Sequence, residues 1–206
     1  MALTIDKSKT AFLTLHFQND IVNENGKLAL LGMAVHVKDT DCLTNTKRAL
    51  DASRNSGILV VHVAAVMRKG YPEFSGISGI LPQMFNVVRS VEGLVECTWG
   101  AVFHDLVKPQ TGEFVVTGRC MNALSGTELQ LLLAVRGIRC LVLSGVATNF
   151  VVENTARYAM DSGYEVVILR DCCASANEEM HSYTLDYVLP YVATISNSNE
   201  YVEVLN

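Results

Sequence analysis

Residues 141–175, LVLSGVATNFVVENTARYAMDSGYEVVILRDCCAS, constrain the fold of this 206-residue chain more than any other segment. An unbroken apolar block ends at Gly145, helical spacing follows as far as Gly163, and a second apolar block closes the run. Two apolar strands joined by a helix make a βαβ unit, which lays its strands parallel in one sheet. The turn GVATNFVV lies between the first strand and the helix, the place where such units gather ligands.

The same alternation runs through the chain. Residues 11–17 (AFLTLHF), 58–67 (ILVVHVAAVM), 113–117, 139–144, 164–169 and 192–195 read as strands. Helical spacing covers 35–56, 127–136 before Gly137, 149–162 before Gly163, and 178–188 before Pro190. Gly just past a helix and Pro shortly after it are ordinary stop signals. Near-continuous Val/Ile/Leu strands between helices predict an α/β fold: a three-layer α/β/α, Rossmann-like domain around a mainly parallel central sheet. One domain spans residues 1–206. Weak periodicity over about 70–112 predicts a long loop capping the site. Ligands in such sheets bind beyond the carboxyl ends of the strands, here residues 16–20, 68–74, 118–122 and 145–150.

Charge and composition exclude several classes. The net charge of −5, without a Lys/Arg cluster, argues against nucleic acid. Charges and glycines interrupt every apolar run short of a membrane span, and the first residues lack the basic-then-apolar pattern of a secretory signal. Cysteines at 42, 97, 120, 140, 172 and 173 form no CxxC pair. They read as free thiols in a reducing, cytoplasmic compartment. No cofactor is implied.

Four segments in order resemble the isochorismatase-like, or cysteine hydrolase, superfamily, over nearly the whole chain. KTAFLTLHFQNDI is similar to a strand ending in D-x-Q-N-D, and VVHVAAVMRKGYPEFS to a second strand followed by Y-P-E. VVTGRCMNALSGTEL resembles a loop ending in S-A-F-x-G-T-x-L, and GVATNFVVENTA resembles the turn G-x-x-T-x-x-C-V-x-x-T-A. The resemblance implies an isochorismatase-like fold, a small-molecule substrate and assembly as a homo-oligomer. Family members typically cleave amides with a Cys nucleophile, an Asp base and a Lys. Here the Asp position falls on His16, the Lys position on Gly118 beside Arg119, and the Cys position is taken as Phe150. Some relatives bind a metal through an Asp and two His; no D-x-H pattern is present, so none is expected.

The remaining candidates follow from position and chemistry. His16, at the end of a central strand, suits a general acid or base. Cys120 could pair with it as a relocated thiol, and Arg119 could lower the thiol pKa or bind a carboxylate. Asp20 and Asn122 are pocket candidates, although Asp20 also suits turn N–H groups. Tyr71 and Trp99 could line an aromatic lid. The turn Val146, Ala147, Thr148, Asn149, Phe150 resembles a family segment with a non-prolyl cis peptide at its first two residues. The amides of Ala147 and Phe150 are expected to form an anion nest at the helix mouth. His62 reads as a satisfied sheet histidine, while His36, His104 and His181 carry no partner signal. The favoured function is acid/base chemistry on a small organic molecule, of hydrolase, lyase or isomerase type, without the Cys nucleophile. The alternatives are an inactive ligand-binding or scaffold protein and an amide hydrolase using Cys120 with His16.

Overall fold

The computed structural model describes residues 3–74 and 83–206. Six strands carry the apolar blocks: β1 Thr10–Leu15, β2 Leu59–Ala65, β3 Phe114–Gly118, β4 Cys140–Val146, β5 Glu165–Ala174 and β6 Thr194–Ser196. All pair in parallel in the order β3-β2-β1-β4-β5-β6. The central strands β1 and β4 are buried along their whole length, as expected when helices cover both faces.

The helices are α1 Asn19–Val22, α2 Met33–Asp39, α3 Cys42–Asn55, α4 Gln83–Ser90, α5 Leu129–Val135, α6 Glu153–Asp161, α7 Glu178–Tyr183 and α8 Ser198–Leu205. Strand alternation divides the core in two. Phe12, Val60 and Val142 join Val37, Leu50 and Tyr201, from α2, α3 and α8, on one face. Leu13, Val61 and Leu143 join Leu129, Ala156 and Leu185, from α5, α6 and the turn after α7, on the other.

Several boundaries differ from the expected ones. The helix expected over 35–56 is two helices, broken where Asp41 takes a left-handed φ of 51°. The segment expected as one long loop contains α4. Helix α8 follows the last expected element. A π-helical turn, Thr148–Val152, precedes α6, and another, Thr184–Val188, follows α7.

This winding positions the site. From β1 the chain progresses outward to β2 and β3, then returns to β4 on the other side of β1. Connections after β1 and β4 therefore leave the sheet toward opposite faces, and a crevice opens between them.

Candidate active site

A cleft lies at that crevice. After β1 and β2 it is lined by His16, Ala65 and Met67; after β3 by Arg119, Cys120 and Met121; after β4 by Val146, Ala147, Phe150 and Val151. Ile21, Leu28 and Met33 close one side, and Met84, Phe85, Val88 and Leu94 another. The last four come from the segment expected as a cap.

His16 is the buried polar side chain of this lining. Its N–H donates to the Val63 carbonyl at 2.9 Å, extending the β1–β2 ladder by one residue. The chain then turns sharply, with His16 at φ 59°, a left-handed conformation more common for His, Asn and Asp than for most residues. The residue is 7% exposed, and its Nε2 is buried without a hydrogen-bond partner among the described residues. Burial pushes the imidazole down to about 4, so it is neutral near pH 7.

Arg119 stands at the rim, and its Nε donates to Glu73 Oε1 at 2.8 Å. Arg68 donates to the same oxygen at 2.8 Å. Burial alone would raise the Glu73 pKa, but hydrogen bonds from Arg68, the backbone and Arg119 outweigh it and hold the group at about 2. Glu73 is therefore ionised, and one N–H of the Arg119 fork is engaged by it. Cys120 lines the cleft but is exposed.

Six expected pocket residues lie outside the lining among the described residues. Asp20 is buried, and its carboxylate accepts the N–H groups of Lys27 at 3.0 Å and Leu94 at 2.7 Å. It fastens two loops instead of facing a ligand. The Tyr71 hydroxyl donates to the carbonyls of Gly93 at 2.7 Å and Val88 at 3.2 Å, tying down the end of α4. Trp99 is 54% exposed rather than folded over the site. Asn122 accepts the Leu124 N–H at 2.9 Å in a local turn. Asn149 accepts from the Ser175 hydroxyl, and Thr148 bonds to His181 Nδ1 at 2.8 Å.

The β4 turn differs from expectation in two respects. The peptide between Val146 and Ala147 is cis, as the resemblance implied. However, the Phe150 N–H donates to the Ala147 carbonyl at 3.1 Å, so the expected pair of free amides is not available. In addition, counting from Gly145 and Thr148 along G-x-x-T-x-x-C puts the sulfur position on Val151, one residue beyond Phe150. Val151 is 1% exposed and also lines the cleft. Phe150 packs against the core as part of the wall and leaves the cleft open to His16.

A second histidine cluster, unsuspected in the sequence, braces this turn. His36 Nδ1 accepts the Ser175 N–H at 3.1 Å, which leaves the ring proton on Nε2, 3.1 Å from Glu178 Oε2. The His36 and His181 rings meet edge to face at 5.2 Å. Burial first, and the nearby His36 second, push His181 down to about 4. His62 is satisfied within the sheet by Thr14 at 2.8 Å and Glu113 at 2.9 Å. Among the described residues no group of three or more His, Cys, Asp or Glu could hold a metal ion, and no helix is long and apolar enough to cross a membrane.

The Isochorismatase domain profile matches residues 10–200. An uncharacterized isochorismatase family protein, YwoC, of Bacillus subtilis is 30% identical over 205 residues, covering 98% of this chain and 96% of the relative. The ureidoacrylate amidohydrolase RutB of Agrobacterium fabrum is 27% identical over 208 residues, covering 95% and 90%. A solved cysteine hydrolase from Pseudomonas syringae superposes with a TM-score of 0.85 at 18% identity, covering 98% and 95% of the two chains. N-carbamoylsarcosine amidase from Thermoplasma acidophilum superposes with a TM-score of 0.73 at 21% identity, covering 93% and 97%.

Proposed function

Since this chain belongs to the isochorismatase family, we propose that it is a hydrolase-type enzyme acting on a small organic molecule, with His16 at its chemical centre and no cysteine nucleophile on the β4 turn. The observation that carries this reading is His16 Nε2, buried in the cleft and unpartnered among the described residues. An orphaned buried polar atom costs about 1–3 kcal/mol, which a bound water or substrate group would recover. The turn after β4 presents Phe150 and Val151 to the cleft, and neither side chain can attack a carbonyl. Relatives named amidohydrolase and amidase make amide-type bonds the first ones to test.

A neutral imidazole that titrates near 4 is a weak base toward free water. Its role is to hold a water or a substrate hydroxyl by hydrogen bonding. It takes the proton as negative charge develops on the substrate, which offsets the new imidazolium in a dry site. Asn is the informative replacement because it tolerates the left-handed backbone. His16→Asn is expected to lower kcat at least about 100-fold, in the range of lost acid–base catalysis. Unchanged turnover by that variant would remove His16 from the mechanism.

A second reading rests on Cys120, which lines the same cleft as His16. In it the thiol is the nucleophile. Complete labelling of Cys120 by iodoacetamide with retained activity would exclude it. The companions of this function are a small-molecule substrate and further copies of the chain. Exposed Leu131, Val135, Tyr183 and Tyr187 give the α5 and α7 layer an apolar surface suited to self-association. Six free cysteines accord with a reducing cytoplasm.

A further inference from the structure

The walls of the cleft narrow what it can accept. Apart from His16, Arg119 and Cys120, the described side chains lining it are apolar, among them Met33, Met67, Met84 and Met121. Methionines adapt to varied apolar shapes. Arg119 and Cys120 are partly or fully accessible to water, whereas His16 is buried. A ligand reaching His16 thus passes a charged rim and enters a hydrocarbon-lined interior with one polar atom in need of a partner.

Charge at the rim is partly spent within the protein, since Arg68 and Arg119 share the one Glu73 carboxylate. The Arg119 guanidinium is held by Glu73 Oε1 at 2.8 Å, and Glu73 keeps its own negative charge beside it. A carboxylate carried past the rim to His16 would lose water and meet a neutral ring among apolar side chains. The effective penalty for burying such an ion is several kcal/mol. An uncharged amide or hydroxyl loses far less and can donate the hydrogen bond that Nε2 lacks.

We propose that the cleft takes an uncharged, largely hydrocarbon small molecule whose single amide or hydroxyl group donates to Nε2 of His16. This rests on the enzyme reading above and makes it specific.

Matched pairs test it on the full-length wild-type chain by calorimetry at pH 7: benzamide against benzoate, cinnamamide against cinnamate, and hexanamide against hexanoate. Each amide is expected to bind at least about tenfold tighter than its acid, a difference of about 1.4 kcal/mol. His16→Asn is expected to weaken the amide Kd values at least about fivefold. Acids binding as tightly as their amides would overturn the proposal, as would no amide binding at millimolar concentration. Turnover separates the two claims. Amides that bind but are never converted would defeat the enzyme reading and leave the ligand class standing. Acids converted in a His16-dependent way would do the reverse.

Discussion

Single residues behind this site are fixed by close approaches that a sequence does not display. Gly100 is one. A Cβ there would lie 2.1 Å from Asp20 Oδ2, the oxygen that accepts the buried Leu94 N–H. Gly100→Ala should therefore push the carboxylate off its two loop amides and cost about 2–4 kcal/mol, read as a lower urea midpoint at unchanged slope. Asp20→Ala should cost about as much by stranding the same amides. His16 was legible as a pocket residue because it ends a strand in a recognisable frame. Its neutrality was not, since that comes from apolar neighbours contributed by distant segments. Nor was the engagement of Arg119, because Glu73 lies 46 residues away in sequence. The Phe150 assignment was an error of one position, and Val151, packed and apolar, offered no chemical signal to correct it.

At the scale of elements, the strands were legible because burial on both faces makes them continuous apolar runs. Strand β5 is the exception. It continues through Arg170 and Asp171 to Ala174, where Cys173 and Ala174 pair with Gly145 and Val146. The charged pair hid that continuation. Helix α4 was hidden by brevity, and α8 shows only Tyr201 and Leu205 toward the core, four residues apart, with Asn197 capping the Glu200 N–H at 3.0 Å. The π turn before α6 is held from outside by His181. His181→Ala would leave the buried Thr148 hydroxyl unpartnered and should destabilise the chain by about 1–3 kcal/mol. Since Thr148 belongs to the turn whose neighbours line the cleft, that variant should also raise KM more than it lowers kcat. Equal effects on both would limit His181 to folding.

For the whole molecule, buried histidines contribute to the response to acid. His16 and His181 both titrate near 4 in the folded chain, below the ordinary value of 6.5. The unfolded chain takes up their protons first as pH falls. Stability is therefore fully present above about 6.5 and declines toward 4, by up to roughly 1.4 kcal/mol per pH unit for each histidine. Denaturant midpoints between pH 7 and 4 measure this, and His16→Asn should lessen the slope. Catalysis should show no such fall near 6.5: kcat/KM is expected to stay level from about pH 8 down to about 5. The exposed Leu131, Val135, Tyr183 and Tyr187 predict self-association, and Leu131→Asp with Tyr187→Asp should reduce the mass seen by light scattering.

The reversal of strand order between β1 and β4 has a wider consequence. The hollow beside it is produced by the path of the chain, not by whichever groups happen to face it. Tenants of the strand ends can therefore be exchanged while every pairing in the sheet is kept. A lineage built this way can abandon one reaction and adopt another without first passing through a misfolded ancestor.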